Sequence, residues 1–559
     1  MNKKSTISYL FGRIGRRIPA LILLCLAHTG SAILGVCFAL DTKKVINTAV
    51  SGEKTAFIQA CLLQAVLILG SLICITLQRW LRDRLQADLD RDWKRDLLHS
   101  LLHGDYAAVS DYHTGELLNR LNNDVRIVCD GILSTLPGLL SMVTRMGAVL
   151  IVLGTLDIRF TALLMTLAAI VVLTTGLARR KLKSLHKAVS AAEGKASGFM
   201  QETLEKLLPV QAMDIQNEVE RRAGKLLAER YALQRKRRTV TLIANSGISI
   251  LSQVSAYGAL VWCAYHVLNG RLTFGDLTAI TQLVSQLRGP MVNLSGIFPQ
   301  YIAMTAAAER LMEIDRLCQG EMPTQAAAPS MLYSEMKHIE ARNLSFSYGK
   351  ERAQVLQPGT FTLPKGTFTA ITGPSGAGKS TLLKLMLGIY PPQSGELLLG
   401  TACGEEHRLD RTTRRLFAYV PQGNLLFSGT LRENLTLTRP TASEAEIQNA
   451  IFVSGMDLFL PLLPDGLDTM LGENAHGLSE GQAQRLAIAR AVLGGAPILL
   501  LDECTSALDA ETEQLVLGRL AALPDRTIIA VTHRPAALEL ADLELELKDG
   551  KIIQMQNAE

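Results

Sequence analysis

Charged side chains are scarce in this chain. Only 19% of its 559 residues are Asp, Glu, Lys or Arg, against 48% apolar, and the mean hydropathy of +0.20 leans towards a membrane composition. The nine cysteines, at 25, 37, 61, 74, 129, 263, 318, 403 and 504, include no Cys-x-x-Cys pair. That spacing excludes a zinc site of the paired-cysteine kind and a disulfide framework, leaving reduced, mostly buried thiols. Neither charge sign dominates, and a net charge of +5 is too small for this length to favour nucleic acid as a partner. The first apolar run, 18–40, ends at Asp41, Thr42, Lys43 and Lys44 rather than at a small-residue cleavage site, so it reads as a retained span and not a signal peptide. The acid-free, basic opening stretch has the composition of a mitochondrial presequence, a reading set aside in favour of the span. The length suits two or three domains, each able to bury a core.

Apolar runs of spanning length fall at 18–40, 56–77, 132–156, 158–178, 242–268 and 274–303. Six spans place both termini on one side. The connections after the second and fourth spans are long and carry the Arg and Lys residues: Arg79, Arg82, Arg84, Arg91, Lys94 and Arg95 in one, Arg221, Arg222, Arg235 and Arg238 in the other. With Lys3, Lys4, Arg13, Arg16 and Arg17 they place the long connections and both termini in the cytoplasm. Leu97, Leu101, Leu204 and Leu208 recur at helical spacing, so the spans are expected to continue as long helices beyond the bilayer.

From 316 to 336 Gly320, Pro323 and Pro329 break the pattern into a linker. Beyond it, apolar β-rich stretches at 367–372, 416–420, 498–501 and 527–532 alternate with helical ones, which predicts a mainly parallel sheet covered on both faces. The expected fold is a membrane all-α domain of six long transmembrane helices (1–315), a linker (316–336) and a soluble α/β P-loop NTPase domain (337–559).

GPSGAGKS at 373–380 fits the phosphate loop G-x-x-x-x-G-K-[ST]. Gly373, Pro374, Ser375, Gly376, Ala377 and Gly378 form a turn whose N–H groups cradle phosphates. Lys379 brings positive charge to the β- and γ-phosphates, Ser380 offers a Mg²⁺ ligand, and Thr381 enters the following helix. At the end of the apolar strand 498–501, Asp502 is placed to hold the same Mg²⁺ and Glu503 to polarise an attacking water as general base. ATP and Mg²⁺ are therefore the expected cofactors.

About a hundred residues after the phosphate loop, Leu478, Ser479, Glu480, Gly481 and Gln482 resemble the signature motif of the ATP-binding-cassette (ABC) proteins, usually Leu-Ser-Gly-Gly-Gln, from which they depart at Glu480. The resemblance implies further roles: Tyr348 stacking on adenine, Gln422 sensing Mg²⁺ and water, His533 as the switch histidine near the γ-phosphate, and Asp509 in the loop that crosses between two nucleotide domains. The first half resembles the exporter-type membrane domain of the same family, through Tyr112, Gly115, Glu116, Arg120 and Asp124, through Gly270 and Gly275, and through Ala306 and Arg310. No peptidase domain precedes the first span, so the peptide-processing branch is not expected.

By resemblance, the chain is a half-transporter in the lipid bilayer of a prokaryotic plasma (inner) membrane. It would hydrolyse ATP only with a second half-transporter, each signature motif meeting the ATP held by the other chain. A homodimer is favoured over a heterodimer, although Glu480 beside a phosphate raises the second arrangement. Coupling is expected through the cytoplasmic tips near 111–115 and 211–214, packed by Gln422.

Polar residues inside the spans give the only clue to a substrate. Asn245, Ser249, Ser252 and Gln253 recur along the fifth span, and Thr278, Thr281, Gln282, Ser285 and Gln286 along the sixth. Arg145 stands mid-way in the third, where a charge costs about 2.5–3.5 kcal/mol on insertion scales. Arg145, Asn245, Gln253, Gln282 and Gln286 are expected to line a cavity for an amphiphilic or partly anionic small molecule, drug, lipid or peptide. Export is the expected direction, with an importer on the same membrane fold or a lipid floppase as alternatives. Cys504, beside Glu503, reads as a small buried side chain rather than a redox switch.

Overall fold

The computed structural model describes residues 3–110, 112, 114–318, 329–348, 354–423, 426–472 and 477–556, without the side chains of 167–183, 244–245, 248, 251–252, 288, 291–296 and 298–299 among others. Two compact units emerge, 1–103 with 112–318, and 104–111 with 319–559.

The first unit is all helical. Its elements are α1 (Lys3–Ile14), α2 (Ile18–Ser51), α3 (Lys54–His103), α5 (Thr114–Asn119), α6 (Val125–Asp130), α7 (Leu136–Leu156), α8 (Ile158–Glu205), α9 (Leu207–Ala212), α10 (Gln216–Leu268) and α11 (Phe274–Cys318). α4 (Tyr106–Val109) lies between α3 and α5 in sequence and belongs to the second unit. Among the described residues, the helical runs Ser8–Ser51, Lys54–His103 and Thr114–Leu156 are long and apolar enough to cross a membrane. The expected fourth, fifth and sixth spans fall within α8, α10 and α11, each one unbroken helix that continues well past spanning length.

Apolar side chains cover both the inside and the outside of the bundle. Val36 and Ala39 of α2, Val149 and Leu153 of α7, Ala259 and Cys263 of α10, and Ile280 and Leu283 of α11 form one buried cluster. The outward face of α3 is equally apolar, with Leu62, Val66, Leu69 and Ile73 all exposed, as a helix bathed in hydrocarbon requires. Helix ends carry the expected signals. α2 stops at Gly52 with φ 76°, and Asp157 caps α8 by accepting from the N–H groups of Arg159 and Phe160.

Charged side chains fasten helices to one another. The basic residues near the N-terminus are only partly solvated: Arg13 pairs with Asp96 at 2.9 Å and with Asp315, while Arg17 pairs with Asp92 and Asp88. Tyr9 also donates to Asp315. Just before α6, the buried Asp124 is held by Arg310 of α11, and the buried Arg120 bonds Glu116, Glu313 and the carbonyl of Arg310. These residues carry much of the sequence resemblance in the membrane half. Two π-helical turns, Arg120–Asp124 and Gly131–Thr135, interrupt the segment. At Gly131 a Cβ would lie 2.6 Å from Met304 Cγ, so only glycine allows the close approach to α11.

The second unit holds α12 (Pro329–Glu335), β1 (Met336–Phe346), β2 (Leu356–Pro364), β3 (Phe368–Thr372), α13 (Lys379–Met386), β4 (Ser394–Thr401), β5 (Glu406–Arg408), β6 (Phe417–Val420), β7 (Gly429–Thr430), α14 (Leu431–Thr436), α15 (Glu444–Val453), β8 (Met470–Leu471), α16 (Glu480–Leu493), β9 (Ile498–Asp502), α17 (Ala510–Ala521), β10 (Thr527–Val531), α18 (Pro535–Glu539), β11 (Leu543–Lys548) and β12 (Lys551–Gln556). The main sheet runs β12-β11-β3-β10-β9-β6. It is parallel except for the edge pair β11–β12. An antiparallel sheet, β2-β1-β4-β5, stands beside it. The four expected strands are β3, β6, β9 and β10, neighbours in the parallel sheet.

Two local findings differ from the sequence reading. The end of the expected linker is helical, and α12 sends Leu332 and Tyr333 into the core beneath β1 and β3. An apolar face inside a Pro- and Ala-rich stretch escaped a reading based on breakers alone. The segment just before 111–115 also packs within the second unit. Asp105 caps α4 and pairs with Arg411 at 2.7 Å, and the Tyr106 ring meets Tyr390 edge-on at 6.1 Å. Asp111 and His113 lie outside the described residues.

Candidate nucleotide site

β3 delivers the chain into the glycine loop and α13 takes it out. At Gly373, with φ 130°, a Cβ would lie 2.0 Å from the carbonyl oxygen of Leu547, so no other residue fits. Gly378, with φ 101°, is the N-cap of α13 and provides no side chain to cap it. The first-turn N–H groups are left for an anion, and the helix dipole favours one.

Lys379 folds back over the loop. Its Nζ donates to the carbonyl oxygens of Gly373 at 2.7 Å and Pro374 at 3.1 Å, and to His533 Nε2 at 3.0 Å. An ammonium only donates, so Nε2 accepts here. His533, just past β10, and Lys379, at the start of α13, are far apart in sequence and thus stand in contact.

Ser380 Oγ donates to Asp502 Oδ1 at 3.1 Å, and Tyr419 donates to Oδ2 at 3.2 Å. Burial pushes the Asp502 carboxyl up, against the downward pull of those two hydrogen bonds. Glu503 follows in the left-handed region at φ 49°, its N–H bonded to the carbonyl of Val531. A non-glycine residue held there costs about 1–3 kcal/mol. The turn swings its carboxylate to Gln422, whose Nε2 donates to Oε2 at 2.7 Å. The structure thereby joins Gln422, Glu503, Asp502, Ser380, Lys379 and His533 into one contiguous set.

The donor set suits a hard divalent ion. Ser380 and Asp502 offer two oxygens, and Mg²⁺ commonly takes one or two protein oxygens with the remainder from phosphates and water. Among the described residues no group of three or more His, Cys, Asp and Glu side chains could hold a metal without a nucleotide.

Tyr348, 37% exposed, stands edge-on to Phe346 and Tyr390 and shares a 2.8 Å hydrogen bond with Thr381. These contacts fix the orientation of the ring. Asp509 caps α17 through the N–H of Thr512.

The signature segment forms the start of α16. Ser479 is its N-cap in a reciprocal capping box with Gln482, so both side chains are committed to starting the helix. Glu480 is the exposed first helical residue, where its charge complements the helix dipole. Gly481 differs: a Cβ there would lie 2.9 Å from the carbonyl of Ala507. The departure from the usual motif falls on the one of the two positions that has room.

The cavity residues do not assemble in the same way. Gln286 donates to the carbonyl of Gly35 at 2.9 Å, an interhelical clamp. Thr278, Thr281 and Ser285 return their hydroxyls to carbonyls of α11. Gln282 keeps its Oε1 buried without a partner, Gln253 is exposed, and the Asn245 side chain lies outside the described residues.

Comparison with known proteins places the geometry in a family. Residues 19–291 match the family model of the ABC transporter transmembrane region and residues 356–506 match that of the ABC transporter. The chain belongs to the ABC transporters. It is 28% identical over 466 residues to ABC transporter B family member 1 of Dictyostelium discoideum, covering 83% of this chain and 51% of that one. It is 28% identical over 561 residues to the uncharacterized ABC transporter ATP-binding protein YfiC of Bacillus subtilis, covering 99% and 91%. This ABC transporter therefore spans about half the length of the first relative and most of the second. A bacterial Atm1-family ABC exporter solved with ATP bound shares the fold, with a TM-score of 0.79, 24% identity and coverage of 97% of this chain and 95% of that one. Membership makes the second unit an ATP-binding domain and the chain an integral membrane protein.

Proposed function

We propose that this chain is one half of an ATP-driven exporter that couples ATP hydrolysis to moving a small amphiphile, lipid or peptide across a prokaryotic plasma membrane. The observation that carries the reading is the contact between Gln422 and Glu503, with Lys379, Ser380 and Asp502 adjoining, in a chain whose other unit is a membrane bundle. Glu503 is the general base and Asp502 with Ser380 holds Mg²⁺, while Gln422 positions the base and reports occupancy. Tyr348 takes the adenine.

Ser479 at the exposed start of α16 supports a second subunit as partner, because a helix N-terminus is an anion site with no phosphate of its own chain beside it. Two identical chains are the simpler assembly, since Glu480 points outward and the glycine that must stay small, Gly481, is present. The basic connections keep both termini and the ATP-binding domain cytoplasmic.

Inside-out vesicles carrying the wild type or Glu503→Gln separate the readings. ATP-dependent accumulation of a candidate amphiphile with the wild type alone supports export. Loss of preloaded compound supports import, and accumulation by both proteins would sink active transport.

A further inference from the structure

The geometry points to Arg145 as the binding group for an anionic headgroup on the transported molecule, an assignment that rests on the export reading above. Arg145 sits near the middle of α7. One and two helical steps of four residues further on lie Val149 and Leu153, 0% and 1% exposed, in the core of the bundle. The opposite face of α7 carries Leu136, Leu140, Val143 and Ile151, all exposed. At 100° per residue Arg145 falls about 40° from Val149 and about 160° from the middle of that exposed face. Its guanidinium is directed to the inside of the bundle rather than to lipid, and it is half-buried.

Several other charges of this unit have partners. Asp276 pairs with Lys43, Asp157 accepts from Trp262, Asp124 is held by Arg310, and Asp130 accepts from Gln86. Arg145 has no hydrogen bond or ion pair among the described residues. An inward cation without a counter-charge is satisfied by a carboxylate, sulfonate or phosphate that arrives with a ligand. A planar guanidinium takes such a group through two parallel hydrogen bonds. The clamped Gln286 and the self-bonded hydroxyls of α11 do not compete for that role.

Three dodecyl probes with one fluorophore test this, ending in a carboxylate, its methyl ester or a trimethylammonium group. Binding is read without nucleotide in phosphatidylcholine nanodiscs, with empty discs subtracted. The wild type is expected to hold the carboxylate about tenfold tighter than the ester. Arg145→Met and Arg145→Gln should both lose that preference while keeping ester affinity, and Arg145→Lys should keep part of it. Equal binding of carboxylate and ester by the wild type overturns the inference, as does undiminished preference in either neutral variant. The wild-type comparison decides even if a variant fails to fold. The export reading fails separately: charge-selective binding with no Glu503-dependent accumulation of the same probe in vesicles refutes export and leaves the Arg145 assignment standing.

Discussion

Arg310 grips Asp124 with two parallel hydrogen bonds, Nε to Oδ2 at 2.7 Å and Nη2 to Oδ1 at 2.6 Å. Asp124 is 1% exposed while the Arg310 side chain is 44% exposed, so the aspartate depends on the arginine and not the reverse. Arg310→Met should lower the stability of the membrane unit by roughly 1–3 kcal/mol, the cost of leaving a buried charge short of partners. Asp124→Asn should cost less, because the amide keeps the shape and loses the charge. Thermal unfolding of the purified chain in detergent gives the order; equal losses from the two variants would contradict it.

Glu503→Gln should cut ATP turnover by about 10²–10⁴-fold and leave ATP binding intact, since the amide still reaches Gln422. Gln422→Ala should reduce turnover less and weaken its dependence on Mg²⁺. Phosphate release under saturating ATP, set beside fluorescent-nucleotide binding, separates the two effects.

Cys504 and Cys403 should differ in reactivity. Burial pushes the Cys504 thiol up to about 12, whereas Cys403 is exposed. At pH 8, iodoacetamide followed by peptide mass spectrometry should find Cys403 modified and Cys504 protected until the domain unfolds. The linkage has a definite sign. The folded thiol keeps its proton beyond the 9.0 of a free one, so stability is unaffected below pH 9 and falls as pH rises from 9 towards 12.

Glu480→Gly should lower the stability of the ATP-binding domain by about 0.3–1 kcal/mol, through loss of a favourable helix-end charge. Gly481→Ala should cost more, because its methyl group meets a backbone carbonyl. If Glu480 faces a phosphate of the second subunit, Glu480→Gly should also raise ATP turnover. Unchanged turnover would mean that the carboxylate points away from the shared site.

Much of the nucleotide site could be read from the sequence because phosphate chemistry demands particular residues at short spacing, as in 373–380 and at Asp502 and Glu503. The parallel strands were legible for a related reason, since strands buried on both faces are apolar throughout. What stayed hidden depended on contacts far apart in the chain. The grip of Lys379 on His533 and the placement of Tyr106 against Tyr390 leave no local pattern. Arg13 and Arg17 could be counted for topology, but nothing in the sequence indicated that acids of α3 and α11 would engage them. Gln286 shows the converse: its place in a span suggested a ligand, and the structure has it donate to the backbone of α2.

The left-handed turn at Glu503 has a consequence for anyone improving this protein. Glycine occupies that backbone conformation without penalty, so Glu503→Gly would relieve local strain while removing the proposed base. Selection for heat resistance alone would reward the inactive chain. Libraries built for robustness must therefore be screened for turnover at every round, or the catalytic turn will be the first thing they discard.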